Sequence, residues 1–134
     1  MFHRRQAALV IVGLFAILLS GCATNPAGYQ PSAVEQRLTG RMFAGEWKPG
    51  FLYRITFRGV GREMTAIVHV IDSDQSRTVY NMPANVSVDG DKVDLQFTNL
   101  DRIDRLVYTS SDDRLSGQSF LRGSRLNSVW AKGT

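Results

Sequence analysis

The chain has 134 residues, of which 43% are hydrophobic and 21% are charged, and its formal net charge is +4 at pH 7. This length holds one domain of ordinary size, so the sequence excludes a two-domain enzyme with separate substrate and nucleotide domains. The apolar residues are unevenly distributed. Residues 7–19 include no charged or polar side chain, whereas polar and apolar residues alternate through most of the chain after Cys22.

The first 22 residues have the layout of an export signal. Arg4 and Arg5 precede the thirteen apolar residues 7–19. A run of that length is too short for a hydrocarbon core, which needs about 20 residues, and is typical of a signal peptide. The segment ends in Leu19-Ser20-Gly21-Cys22, which resembles the bacterial lipobox at all four positions. Cys22 is the only cysteine of the chain, and a single thiol in an exported protein indicates a dedicated use.

The lipobox resemblance implies that residues 1–21 are a lipoprotein signal peptide. It implies that Cys22 becomes the first residue and carries a diacylglyceryl group and an amide-linked acyl chain such as palmitate, which together anchor a protein firmly. Because Ala23 follows Cys22, the resemblance also implies sorting to the outer membrane, with the domain facing the periplasm. The alternatives are an ordinary signal peptide with an unmodified cysteine and an uncleaved N-terminal membrane anchor.

Loss of the signal would leave 14 basic and 12 acidic residues, which is a formal charge of +2. This balance, and the lack of a basic stripe interleaved with aromatic residues, predict no nucleic-acid partner. Residues 22–31 contain Pro26, Gly28 and Pro31 and little apolar bulk, so they are predicted to form a flexible tether.

The predicted domain, residues 32–134, begins with a short helix. Ser32 and Glu35 have the spacing of a capping box, in which the hydroxyl and the carboxylate each accept a backbone N–H of the first turn. The pattern predicts about two helical turns that end at Gly40.

Beyond Arg41 the hydrophobic period changes to two, which predicts β-strands. Phe51 to Arg58 is the clearest example, and Asp89-Gly90 is the strongest hairpin signal. Pro83 is expected to end a strand. The predicted strands are residues 51–58, 63–71, 77–82, 85–88, 92–98, 103–109, 114–121 and 125–131.

Seven or eight short strands without interposed helices exclude a parallel α/β sheet. They predict an all-β domain, namely a small antiparallel meander that closes as a barrel or packs as a sandwich after the short N-terminal helix. Nine aromatic residues are expected to supply its core: Phe43, Trp47, Phe51, Tyr53, Phe57, Phe97, Tyr108, Phe120 and Trp130.

Gly45-Glu46-Trp47, ahead of the first long strand, resembles the Gly-x-Trp motif of lipocalins and related calycin barrels. The resemblance implies that the indole of Trp47 plugs the closed end of a barrel and that a late-strand arginine packs over it. Arg122 and Arg125 are the candidates by position. It also implies a cavity for a small apolar ligand. The alternative is that Trp47 is simply a core residue.

A second motif, Ser116-Gly117-Gln118-Ser119-Phe120, is similar to the Ser-Gly loop of periplasmic lysozyme inhibitors, which are also small lipid-anchored β-barrels. The resemblance implies a projecting binding loop at Ser116 and Gly117. The alternative is a glycine-containing turn of the last hairpin.

The remaining polar residues predict no catalytic residue, no metal site and no cofactor. His69 is the sole histidine after the signal and has no second histidine or cysteine to complete a metal shell or a nucleophile pair. Residues 101–105 are expected to form a surface loop with solvated ion pairs of Asp and Arg. Aspartates at positions 89, 91 and 94 lack the spacing of a calcium loop, and those at 112 and 113 are expected to diverge at the tip of a turn.

The sequence as a whole predicts a lipid-anchored outer-membrane protein whose non-catalytic domain binds an envelope protein or a cell-wall component. The alternatives are a calycin-like carrier of a small apolar ligand and an inhibitor of the lysozyme-inhibitor type. A carrier needs an unfilled cavity of about 300 Å³ or more. An interaction module is instead expected to have a filled core and an exposed aromatic patch.

Overall fold

The computed structural model describes residues 25–72, 74 and 77–134. Within this part, the compact unit Pro31–Thr134 contains one short α-helix and eight β-strands. The chain before Pro31 forms a separate unit, of which residues 25–30 are described; there the Tyr29 N–H donates to the Pro26 carbonyl oxygen over 3.1 Å. No helix among the described residues is long and apolar enough to cross a membrane. Cys22 and the motif residues Leu19, Ser20 and Gly21 lie outside the described residues.

The helix α1 (Ala33–Leu38) precedes all the strands, and a 3-10 turn (Gly61–Glu63) connects the second strand to the third. The strands are β1 (Met42–Lys48), β2 (Phe51–Arg58), β3 (Thr65–Asp72), β4 (Arg77–Asp89), β5 (Lys92–Phe97), β6 (Arg102–Thr109), β7 (Arg114–Leu121) and β8 (Ser124–Gly133).

The strands form a closed antiparallel barrel in chain order. Each strand pairs with the next one, and β8 returns to β1 with Gly45 opposite Ala131 and Phe43 opposite Gly133. Closure pairs every strand on both sides and leaves no unprotected edge. The predicted all-β antiparallel barrel after a short helix is therefore confirmed, and the sandwich alternative is not the one adopted.

The capping box of α1 is confirmed. The Ser32 hydroxyl accepts the Glu35 N–H over 3.2 Å, and the Glu35 carboxylate accepts the Ser32 N–H over 2.6 Å. The same carboxylate accepts the Gly61 N–H over 2.6 Å, which ties α1 to the 3-10 turn. The helix ends at Leu38, earlier than predicted, and Leu38 is fully buried in the core.

The predicted strands differ from the observed ones at β1 and at Pro83. The first strand, β1, was not among the predicted strands, and Pro83 lies inside the 13-residue strand β4 instead of ending a strand. The Pro83 carbonyl oxygen accepts the Thr98 N–H over 3.1 Å at the point where the pairing with β5 stops. Because proline has no N–H, Pro83 and Thr98 make only one of the two hydrogen bonds of an antiparallel pair, and proline is tolerated here because the ladder with β5 ends at this point.

The barrel has two different ends. Because its strands are antiparallel and follow one another in chain order, successive turns lie at opposite ends. The closed end carries α1, the 3-10 turn and the β6–β7 turn, and its interior is filled by edge-to-face aromatic contacts of Phe43 with Phe57 and Tyr108 at centroid distances of 5.7 and 6.3 Å. The opposite end, which we call the mouth, carries the β1–β2, β5–β6 and β7–β8 turns.

Candidate ligand-binding site

A cavity of about 280 Å³ opens at the mouth of the barrel. Strand periodicity explains part of its apolar wall, since residues two apart share a face and Met82 and Leu121 continue the inward faces of β4 and β7. Leu100 comes from the β5–β6 turn, and Leu121 and Leu126 flank the β7–β8 turn. The lining residues are Trp47, Tyr80, Met82, Leu100, Arg102, Leu121 and Leu126.

The floor of the cavity is a buried ion pair. Arg102 donates from Nε and Nη2 to the two carboxylate oxygens of Asp104, over 2.9 and 3.0 Å. Arg102 is 3% exposed and Asp104 is 0% exposed. This finding corrects the expected surface loop at residues 101–105. Arg102 and Asp104 lie on the same inward face of β6 as Leu106.

Tyr53 of β2 adds a third polar side chain to the ion pair of Arg102 and Asp104. Its hydroxyl donates to Oδ2 of Asp104 over 2.5 Å. Burial raises the pKa of Tyr53 well above its ordinary value, and the negative charge of Asp104 raises it further. The phenol therefore stays neutral and acts as a donor, so that Asp104 accepts hydrogen bonds from two sides. A buried charge pair of this kind persists because its lone pairs are satisfied by additional donors.

The arginine that packs over Trp47 is Arg102, whose Cζ lies 5.2 Å from the indole centroid and 4.9 Å from the Phe97 centroid. Arg122 and Arg125 are exposed in the β7–β8 hairpin. This corrects the two arginines suggested by the lipocalin resemblance. The end at which Trp47 lies also differs, because β1 runs from the helix side of the barrel to the mouth and Trp47 stands near its last residue.

A second cation contacts the indole at the rim of the mouth. The Lys48 Nζ lies 4.9 Å from the Trp47 ring centroid and 4.6 Å from the Phe51 ring centroid. The Tyr80 ring packs edge-to-face against the indole at a centroid distance of 6.1 Å. The Asn127 side chain donates to the Trp47 carbonyl oxygen. These contacts fix the position of Trp47 in the cavity wall.

Two buried polar atoms have no hydrogen-bond partner among the described residues, namely Nε1 of Trp47 and Oγ of Ser119. Ser119 is opposite Asp104 in the β6–β7 register, next to the buried ion pair. Such groups are costly to bury, and in native proteins they point to strain, to bound water or to function.

The predicted binding loop at Ser116 and Gly117 is wrong, because both residues lie inside β7. Ser116 pairs with Val107 and Gly117 pairs with Leu106. A Cβ atom at Gly117 would overlap the backbone carbonyl of Arg105, so the glycine permits a close approach of two strands. The glycine of this motif is therefore explained by close packing inside the barrel wall, and not by a turn or a projecting loop.

The closed end contains a second polar cluster. Arg41 donates from Nη1 and Nη2 to the two carboxylate oxygens of Asp113, over 2.9 and 2.5 Å, and the Tyr108 hydroxyl donates to Oδ1 over 2.6 Å. The hydrogen bonds from Arg41 and then Tyr108 lower the pKa of Asp113 to about 2. This cluster links the residue that precedes β1 to the β6–β7 turn.

The described residues contain no group of three or more His, Cys, Asp and Glu side chains that could hold a metal ion. His69 lies on the outward-facing side of β3 and is half-buried. No protein-family model, no curated protein and no solved structure matches this chain. The lipobox, lipocalin and lysozyme-inhibitor resemblances therefore stay predictions from the sequence.

Proposed function

We propose that this chain is a lipid-anchored binding protein of the bacterial outer membrane, and that the mouth of its barrel holds a small apolar ligand. The observation that carries this proposal is the cavity of about 280 Å³, which is lined mainly by apolar and aromatic side chains. Small-molecule sites begin at about 300 Å³ and are mostly apolar with a few placed polar groups. The cavity lies just below that lower limit, and it is its apolar lining that favours a carrier of a small ligand.

The remainder of the barrel interior supports a small ligand rather than a long one. Below the mouth, Tyr53, Ile55 and Phe57 of β2 are fully buried, and the ion pair of Arg102 and Asp104 closes the floor. A ligand is thus restricted to the outer layer of the barrel. In this proposal Cys22 and the tether of residues 22–31 hold the domain at the membrane surface without taking part in binding.

Binding of an envelope protein or a cell-wall component is the second candidate. It is favoured by the rim of the mouth, where Tyr80 and Leu126 are 48% and 45% exposed. Exposed apolar surface next to a cavity is typical of a protein interaction site. The inhibitor hypothesis has lost its basis, because Ser116 and Gly117 do not project.

The ligand proposal is tested by native mass spectrometry of the full chain isolated from the envelope of the bacterium that makes it. We expect a discrete excess mass that disappears on denaturation. Leu121→Trp, which fills the cavity, is expected to remove this mass. Ile67→Trp introduces the same side chain at an exposed position on the outer wall that does not line the cavity; it is the control and is expected to retain it. A bare polypeptide mass in all three proteins would contradict the carrier proposal and favour the second candidate.

The anchor is tested separately with labelled palmitate. We expect incorporation into the wild-type chain and none into Cys22→Ser. Equal labelling of both chains would contradict lipidation at Cys22, whatever the cavity binds.

A further inference from the structure

The guanidinium of Arg102 offers hydrogen-bond donors to the cavity. An arginine has five N–H groups, and Asp104 accepts from Nε and Nη2 of Arg102. Nη1 has no protein acceptor among the described residues, and the small part of Arg102 that remains accessible lines the cavity. A ligand that fills the mouth therefore meets a donor at its floor, and leaving that donor unpaired costs binding energy.

The charge of this floor is already balanced. Asp104 neutralises Arg102, and both side chains are almost completely buried. An anionic ligand at Arg102 would place a second negative charge near Asp104 with one cation between them, which leaves a net charge out of water. Lys48 does not compensate for it, because its side chain is exposed at the rim and its charge is screened by solvent.

The volume indicates how much of a ligand the cavity encloses. A cavity of 280 Å³ corresponds to about nine water molecules at about 30 Å³ each, so it encloses about eight non-hydrogen atoms. The apolar wall requires that most of these atoms are hydrocarbon.

We propose that the mouth selects a short neutral carbonyl compound, such as an ester, a lactone or a ketone, whose carbonyl oxygen accepts a hydrogen bond from Arg102. This inference rests on the proposed function, because it specifies the ligand class of the same cavity. A neutral acceptor satisfies the donor without adding charge, whereas a carboxylate adds charge and an alkane leaves the donor unpaired.

The test compares methyl pentanoate, hexanoate and heptane at pH 7. The first two are isomers as neutral molecules, but hexanoate is an anion at this pH, and heptane has a similar size without an acceptor. The full chain is reconstituted in phosphatidylcholine vesicles, and protein-free vesicles serve as the blank. Trp130→Phe removes the outward-facing tryptophan, so the remaining indole fluorescence reports Trp47 in the cavity wall.

We expect methyl pentanoate to bind about tenfold more tightly than heptane, which is the effect of one hydrogen bond to a charged group. We expect a preference of about the same size over hexanoate, because the anion adds a buried charge. Hexanoate binding as tightly as the ester would overturn the selectivity for a neutral ligand, and heptane binding as tightly would overturn the role of Arg102. In both cases the proposed function stands. Saturable binding of none of the three would contradict the proposed function itself.

The double variant Arg102→Met with Asp104→Leu tests the donor directly, since it removes both charges together. We expect methyl pentanoate and heptane to bind it equally well. A folded double variant that keeps a tenfold preference for the ester would show that Arg102 is not the donor. The ligand series alone decides the preference for a neutral acceptor. The double variant decides whether Arg102 or Nε1 of Trp47, the other donor in the cavity wall, supplies the hydrogen bond.

Discussion

The two ends of the barrel differ in whether their apolar side chains are buried or line an open cavity. At the closed end, Leu38 and Phe43 are fully buried, and Glu35 and the pair of Arg41 and Asp113 join α1 and the neighbouring turns by charged hydrogen bonds. At the mouth, apolar side chains surround a cavity, and no element of the described chain fills it. Residues at the closed end stabilise the fold, whereas those at the mouth expose apolar surface at a cost in free energy. That contrast supports the proposal that the mouth is the end that binds a ligand.

The largest expected effect concerns the floor of the mouth. Asp104→Leu leaves the buried charge of Arg102 unpaired and removes the acceptor of the Tyr53 hydroxyl. We expect the free energy of unfolding to fall by about 4 kcal/mol in denaturant titrations. The double variant with Arg102→Met is expected to recover the part of this loss that comes from the unpaired charge, whereas the buried Tyr53 hydroxyl still lacks its acceptor. A loss below about 1 kcal/mol for Asp104→Leu alone would contradict a buried ion pair at the floor.

The next effect tests the closed end. Leu38→Ala removes a fully buried side chain where α1 joins the core, and we expect it to lower the free energy of unfolding by about 3 kcal/mol. Ile67→Ala, at an exposed position on the outer wall, is the control and is expected to change stability by about 0.5 kcal/mol or less. Similar losses in the two variants would indicate that α1 does not close the barrel.

The sequence was sufficient to predict the short helix and an antiparallel all-β domain, because their signals are local, but it left a barrel and a sandwich open. The capping box of Ser32 and Glu35 needs only neighbouring residues, and the alternation along β2 and β5 identifies their inward faces directly. Pro83 was misread because its effect depends on where a neighbouring strand stops pairing. That information is contained in the register and is absent from the local pattern.

The floor of the mouth was missed for a related reason. Alternating Asp and Arg at residues 101–105 is typical of a solvated segment, and its burial follows only from closure of the barrel. One signal was present, since Arg102 and Asp104 continue the face of Leu106 and Tyr108. Extending the apolar face of a strand through its charged residues would have placed both charges inside.

A smaller effect is expected from the pH dependence of the closed end. The pKa of Asp113 is about 2 in the folded chain, below the ordinary value of 3.8, so its ionised form stabilises the fold above pH 3.8. This contribution is lost as the pH falls from about 4 to about 2. We expect Asp113→Asn to cost about 1 kcal/mol at pH 7, because the side chain is 31% exposed and solvent screens the pair.

The measurement for this variant is the thermal midpoint between pH 5 and pH 2. We expect the wild-type midpoint to fall more steeply than that of Asp113→Asn, so that the two curves converge at low pH. Parallel curves over this range would show that the pair of Arg41 and Asp113 does not contribute to stability.

The smallest expected effect on stability is at the rim of the mouth, and it gives the most direct comparison of the two ends. Leu126→Ala makes the same chemical change as Leu38→Ala, but Leu126 is 45% exposed and lines the cavity. We expect the free energy of unfolding to change by about 0.5 kcal/mol or less. Binding of methyl pentanoate is expected to weaken about fivefold, because the ligand loses about 1 kcal/mol of apolar contact. A leucine that only stabilises the fold is expected to lower the free energy of unfolding when it is replaced and to leave binding unchanged. If Leu126→Ala lowered the free energy of unfolding as much as Leu38→Ala and left binding of methyl pentanoate unchanged, the mouth would contribute to stability and not to ligand binding.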